Sequence, residues 1–519
     1  MKKSGLQYAK NEGSNMSLWR NFLRWVGTKM IIAANNYHKL SDHKYLETLI
    51  LQWETSPFRK LQMDGERYYV GEHDILHKKR TVIGQGGELV EVKNLPNNRI
   101  VDNQVAKMID QKNNYLLGKP ITFKCDDDAY VEQLNTVFNK RWNKRLKDLG
   151  HYAITGGIAW LYPYIEDGKM QFKVFPAHQV LPIWLDAEHE KIAMGIRMYL
   201  EEKKDPKFPG DYTKKVEIFK PDGIEYYTFD NNRLEPDLNK PKASYLTIKQ
   251  GDTEQKLNWE RIPLIPFKFN AKEIPLLRRC KTQQDAINHI ESMYKDHMEE
   301  DVRNTIIVLK AYDGENLSEF RQKLAQYGAI KVRSDDAAKG DVSTLHIDVN
   351  AANYESILKL FKESLIENCR GFDFSELKSG SPNQMNIKSI LSEIDMDAND
   401  MQTEFEVGLE ELLWFVNNFL GVTEEKPVDI IFNRDTIVNE TEILTSLQGF
   451  GVEISNETLL GQVPFVDDPE EEQKRVDKQK EKDMDAYAGA LPMGGEPAPG
   501  KPDDKKPVKD GKTNDKPKQ

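Results

Sequence analysis

The sequence predicts an α+β protein with more than one folding unit. Three observations predict it. Apolar residues recur at helical spacing before residue 150, short alternating segments with turn punctuation run through 157–269, and long helical periodicities follow residue 280. At 519 residues the chain exceeds one ordinary core. Apolar content of 39% with 9% aromatics is enough to fold, while 30% charged residues leave much wet surface. A net charge of −11 argues against tight wrapping of DNA, yet an acidic wall lets DNA pass without sticking. Cys125, Cys280 and Cys369 lie far apart in sequence without CxxC spacing, which reads as reduced thiols and not as a zinc site or disulfide frame. No apolar run approaches the ~20 residues that span a bilayer. The start MKKSGLQYAK lacks the apolar core of a signal peptide, so a soluble, intracellularly made protein is expected.

Leu18, Trp19, Phe22, Leu23, Val26 and Met30 recur at helical spacing around Arg20 and Arg24. This basic amphipathic helix either packs on its own core or a neighbour, or touches a membrane. Residues 40–53 read as a helix that Ser56-Pro57 ends. The turn at Gly84-Gln85-Gly86-Gly87 lacks the glycine offset and the Lys-Ser/Thr of a nucleotide loop, and a strand follows at 88–93. Residues 98–117 read as a helix with a stripe of Ile100, Val101, Val105, Met108, Ile109 and Leu116, stopped by Gly118 before a strand at 121–125. A further helix covers 130–149. The strands at 158–165, 170–175, 192–200, 216–219 and 224–229, with turns at Asp167-Gly168 and Asp222-Gly223, predict a mainly antiparallel β region.

Residues 281–302 are helical, with Ala286, Ile290, Met293, His297 and Met298 near one side. Strands are expected at 305–310, 329–333 and 342–349, with a helix at 318–327. Tyr354, Ile357, Leu358, Phe361, Leu365 and Ile366 mark a second helix. After a polar stretch at 376–386, an unbroken stripe from Ile387 to Phe419 predicts one helix of about nine turns. Ile394, Met401, Phe405 and Leu409 are its packing candidates. Beyond it come a strand at 428–432, helices at 439–448 and 456–461, and a charged helix at 470–482. A Pro/Gly/Lys/Asp tail from 491 is expected to be disordered.

Chemistry-bearing signals are few. Asp395, Asp397, Asn399 and Glu406 copy the spacing of a calcium loop, but Asp400 stands where that loop needs Gly, and the helical stripe runs straight through. Asp126-Asp127-Asp128 could serve two-metal chemistry, yet reads as a solvated turn with Asp128 near a helix N-cap. No HExxH, GxSxG or GxxxxGK[ST] motif occurs. Lys378, Ser379, Gln384, Asn386 and Lys388 form a hydrogen-bonding, Gly/Pro-flexed segment that either meets phosphates or is a solvent loop. Lys295, Asp296, Glu299 and Arg303 are mixed charges that can pair between subunits.

The stretch NNRIVDNQVAKMIDQKNNYLLGKPITF at 97–123 and the ending FNRDTIVNETEILTSLQGFGVEISNETLLGQVPFVDDPEEE at 432–472 resemble the portal proteins of tailed phages of the SPP1 (Gp6-like) type. The resemblance covers roughly 40–480. It implies an N-terminal arm (1–35) and a β-rich wing (36–280). Two stem helices (281–302 and 350–370) would flank a small α/β clip (303–349). A tunnel loop (371–386), a long wing-to-crown helix (387–423), a helical crown (424–482) and a disordered tail (483–519) would follow. It further implies a dodecameric ring at one capsid vertex that conducts double-stranded DNA during packaging and ejection. That ring would dock terminase and then the head–tail connector, and would meet the major capsid and scaffold proteins. No cofactor, catalysis or membrane is implied. The expected location is the virion, after assembly in the host cytoplasm. Two readings compete: a metal-dependent nucleic-acid-processing enzyme using Asp126–Asp128 or Asp395, Asp397 and Glu406, and a membrane-bound scaffold anchored by residues 19–30.

Overall fold

The computed structural model describes most of residues 42–434 and, beyond them, chiefly 455–460 and 469–489. Within the first range, 84–86, 94, 204–209, 251–252, 302–305, most of 311–350, 374–383 and 425 fall outside the description. The expected amphipathic helix at 18–30, the strand at 329–333, the helices at 318–327 and 439–448 and the tail from 491 therefore lie outside the described residues, whereas 483–489, expected to open the disordered tail, are helical.

Helix α1 (His43–Glu54) begins where the Asp42 side chain accepts from the Lys44 amide. Ser56-Pro57, expected as a stop, follows the end of α1 and also starts α2 (Pro57–Tyr69). The Ser56 hydroxyl accepts from Arg59 N, and Pro57 occupies a first turn whose N–H groups need no helical partner. A small hairpin, β1 (Thr81–Ile83) and β2 (Leu89–Glu91), precedes α3 (Gln104–Leu117) and β3 (Thr122–Lys124). The single helix expected at 130–149 is two, α4 (Asp128–Val137) and α5 (Lys140–Gly156), because Asn139 caps the second by accepting from Arg141 N. Asp127, not Asp128, caps α4.

The β region is antiparallel throughout. Strands β4 (Ile158–Glu166) and β5 (Lys169–Pro176) turn at Asp167-Gly168, where both residues take the positive φ of a tight hairpin. Next come β6 (Val180–Trp184), β7 (Ile192–Glu202), β8 (Tyr212–Lys220), β9 (Gly223–Asp230) and β10 (Arg233–Pro236), which form a five-stranded meander. Alternation along β8 sends Val216 and Ile218 to one face, where α1 covers them with Leu46, Ile50 and Trp53, and sends Phe219 to the main core. After the hairpin β11 (Leu246–Gln250) and β12 (Thr253–Leu257), β13 (Ile265–Lys268) joins β4 and β5 in a three-stranded sheet.

Helix α6 (Leu277–Asp301) leads to a small sheet of β14 (Ile306–Lys310) with β17 (Asp341–Leu345), beside the short pair β15 (Ser334–Asp335) and β16 (Ala338–Lys339). Helix α7 (Ala351–Asn368) returns along α6. Helix α8 (Gln384–Leu420) is 37 residues long, or about 55 Å at 1.5 Å per residue. Its stripe of Ile394, Met401, Phe405 and Leu409 is buried within this chain, with the Phe405 ring edge-on to Phe267 of β13 at 5.1 Å. Gly408 permits that closeness, since a Cβ there would meet three Phe267 ring carbons at 2.9–3.0 Å. Strand β18 (Asp429–Ile431) pairs back on β3. One large core thus joins α3–α5, the three-stranded sheet, the start of α6, the end of α7 and α8. Residues 438–519 form a separate unit, described here by α9 (Asn456–Leu460) and α10 (Pro469–Gly489).

Candidate functional site

Beyond Cys280 the buried side of α6 is polar apart from Ile287. Gln284, Asn288, Ser292 and Asp296 are each 0% exposed, whereas the expected stripe of Ala286, Ile290, Met293, His297 and Met298 is half-buried or exposed. Residues 98–103, expected as the first turns of a helix, are not helical and lie along these four side chains. Asn98 N donates to Asp296 (2.6 Å), Ile100 N to Ser292 (2.9 Å), Asp102 N to Asn288 (3.0 Å) and Val105 N to Gln284 (3.1 Å). The match is one of repeats: four helical residues rise about 6 Å, and two extended residues advance about 6.6 Å. A backbone satisfied in this way has no need to become helical until Gln104, where Asn103 caps α3. Buried His73 closes the ladder, facing Asn288 Nδ2 at 2.7 Å and Tyr68 O at 2.9 Å. Burial lowers its pKa, so the ring is neutral, accepting from Asn288 and donating to Tyr68.

At the far end of this ladder from Asp296, four elements meet on one carboxylate. Asp397 of α8 is 3% exposed and receives Lys112 of α3 at 2.8 Å, Arg279 of α6 at 2.7 Å and Arg370, just past α7, at 2.9 Å. Lys112 Nζ also donates to the Arg370 carbonyl at 2.9 Å. Burial opposes ionisation of Asp397, but Lys112 and Arg279 override it and hold the carboxyl below its usual range. Burial likewise lowers Lys112 despite Asp397. Cys280 and Cys369, far apart in sequence, are both fully buried in the same core. The neighbouring Cys369 thiol and burial push the Cys280 thiol well up. A second clamp lies along α7, where Lys362 reaches Asp102 at 2.6 Å and Glu291 of α6 at 3.3 Å.

This junction brackets the polar segment. On one side Gln111 donates to the Phe372 carbonyl at 2.9 Å, and Gly371 sits so close to Met108 that a Cβ would meet its sulfur at 2.4 Å. On the other, Leu391 and Ile394 are buried. Lys378 and Ser379 lie outside the described residues. Gln384, Asn386 and Lys388 belong to the first turns of α8 and not to the loop expected to run to 386.

Of the charges expected to pair between subunits, Asp296 is committed within its own chain to Lys78 (2.7 Å) and Asn98. Lys295 and Glu299 pair along the helix at 3.4 Å and stay exposed. Arg303 lies outside the described residues. The candidate metal carboxylates also have protein partners. Asp127 caps α4 and binds Lys426 at 2.5 Å. Asp395 accepts from Tyr115 and Arg434, each at 2.6 Å, and Glu406 from Gln402 at 2.8 Å. Among the described residues no three His, Cys, Asp or Glu side chains converge as metal ligands. Among them, too, no helix is long and apolar enough to cross a membrane.

A family model described as "Phage portal protein, SPP1 Gp6-like" matches residues 59–486. A "Portal protein" of Bacillus phage SPP1 is 29% identical over 461 residues, covering 86% of this chain and 87% of the relative. A "Portal protein" of Clostridium phage phiCD119 is 24% identical over 429 residues, covering 79% of this chain and 91% of the relative. A solved chain titled "Neck of native GTA particle computed with C12 symmetry" aligns over 69% of this chain and 89% of its own, at 10% identity. Its TM-score of 0.38 bears no weight on the fold.

Proposed function

The chain belongs to the SPP1 Gp6-like phage portal protein family, and from that premise we propose that it forms the dodecameric ring through which double-stranded DNA enters and leaves the capsid. Portal proteins are structural components of the virion and not enzymes. In this reading α6 and α7 are the stem helices, and the small sheet between them belongs to the clip that docks terminase and then the head–tail connector. Residues 36–280 are the wing, α8 is the wing-to-crown helix, and residues 424–482 are the crown. The ring meets capsid and scaffold proteins as it assembles in the host cytoplasm. Segment 371–383 is the tunnel loop, with Lys378 and Ser379 in it and Gln384, Asn386 and Lys388 in the first turns of α8, these five being the residues nearest the DNA.

The observation that carries this reading is the junction at Asp397. A loop that follows moving DNA needs a base that does not move, and both ends of this segment rise from a core where one carboxylate binds three other elements. The net charge of −11 per chain suits a channel that passes phosphate without gripping it. Deletion of Gly380–Asn383 tests the assignment. Rings should assemble normally while phage heads lose packaged DNA or fail to fill. Fully DNA-filled, infectious heads from the deletion variant would refute the loop's role.

A further inference from the structure

A groove of about 1350 Å³ runs between the C-terminal half of α8 and the edge of the three-stranded sheet, lined also by residues 421–424 and 426–429. Glu404, Val407, Glu411, Trp414 and Asn418 line it from one face of the helix, at the spacing of a single amphipathic stripe. Val407 is 53% exposed although apolar. Arg261 stacks on Trp414 at 4.6 Å and binds Glu411, and Lys268 lies 3.8 Å from Glu404. Glu190, Glu410 and Glu424 also line the groove and have no ion-pair partner among the described residues; Lys191 is the one lining cation in the same condition. The groove therefore exposes Val407 among carboxylates that outnumber its one unpaired cation among the described residues.

We propose that this groove is the dock for residues 17–30 of the same chain. Residues 1–41 carry seven Lys or Arg against one acid, Glu12, in a chain whose net charge is −11. Within 17–30, Arg20, Arg24 and Lys29 accompany Trp19, Phe22 and Trp25 at spacing that predicts an amphipathic helix, and no acid is present. An aromatic face flanked by cations complements Val407 exposed among carboxylates.

The distance also fits. His43 packs on Tyr227 at 5.3 Å, and Tyr227 lies two strands from Met198 of β7. From there six residues of β7 lead to Ile192, beside the groove at Lys191. Those steps amount to about 10 Å across and 20 Å along the sheet. The 11 residues between Met30 and Asp42 let the chain reach up to about 40 Å when extended, which spans the gap without recourse to a neighbouring subunit.

The test uses the full chain with Trp25→Cys and Val407→Cys, Cys125→Ser removing the half-buried native thiol, and a short bismaleimide. The proposal expects a Trp25→Cys to Val407→Cys cross-link within one chain, migrating at monomer mass. Arg20→Glu with Arg24→Glu should lower its yield at least fivefold, and high salt should do the same. Cross-linked dimers would overturn docking in the same chain. So would Val407→Cys that is shielded from soluble maleimide even after the charge reversals, since a second copy would then cover the groove. Val407→Cys that reacts freely in the unaltered arm background would overturn the proposal outright. The readout needs no phage activity, so it stands or falls apart from the portal role.

Discussion

Replacing Asp397 with Asn probes the junction directly. The substitution keeps the shape and one acceptor but removes the one carboxylate paired with Lys112 among the described residues, and the Lys112 side chain is 3% exposed. At an effective dielectric of 20 and about 4 Å between charge centres, each attraction is worth roughly 4 kcal/mol before desolvation. Arg279 and Arg370 are partly solvated, at 27% and 40% side-chain exposure, so their shares are screened. Lys112 then dominates, and removing one partner of a buried pair costs about 3–5 kcal/mol because the other charge is stranded. The loss should appear locally, in amide exchange at Cys369 and Gly371, which donate to Leu365 and Ile366. At 1.36 kcal/mol per decade, about 3–4 kcal/mol speeds their exchange roughly 150- to 1000-fold. Adding Lys112→Met removes the stranded ammonium and should restore at least a tenth of that protection. Exchange within threefold of the parent, or a double variant faster than the single, would refute the reasoning.

Gly408→Ala forces a methyl against buried Phe267 and should cost about 1–3 kcal/mol in urea unfolding despite the better helix propensity of Ala; a stabilised protein would show that α8 does not approach β13 so closely. Asp296→Ala strands Lys78 and the Asn98 amide, so exchange at Asn98 and Ile100 should rise at least tenfold while that at Val105, held by Gln284, changes little. The acid response has a defined sign. Asp397 has a folded pKa below that of a free carboxylate, so its stabilisation is present above about pH 4 and is lost as pH falls through the folded value. The exchange difference between parent and Asp397→Asn should therefore stay constant from pH 7 to about 4.5 and shrink below that. His73 behaves as a buried base with a lowered pKa, so overall stability should decline from about pH 6.5 downward, where the unfolded chain takes up the proton first.

Where apolar periodicity governs, the sequence is readable. The long α8 stripe and the alternating strands of the meander follow directly from spacing, because burial selects Leu, Ile, Val and Phe at those positions. The buried side of α6 is hidden for the converse reason. Gln284, Asn288, Ser292 and Asp296 are buried by hydrogen-bonding a passing backbone, and a search for apolar stripes reads them as solvent-facing. A four-residue recurrence of short polar side chains was the available signal, but its partner segment gives no local sign of being extended. The Asp397 junction draws on positions 112, 279, 370 and 397, which only tertiary structure brings together. Asp397 in particular looks like a calcium-loop ligand by spacing and is instead the acceptor for three side-chain cations. Ser56-Pro57 shows the same ambiguity at close range, since the dipeptide that ends one helix also caps the next.

Electron microscopy of the purified full chain, with light-scattering mass alongside, tests the central claim most directly. The account predicts closed dodecameric rings with a central hole wide enough for a DNA duplex. A protein that stays monomeric or dimeric across concentration and salt, or that builds open filaments, would contradict it.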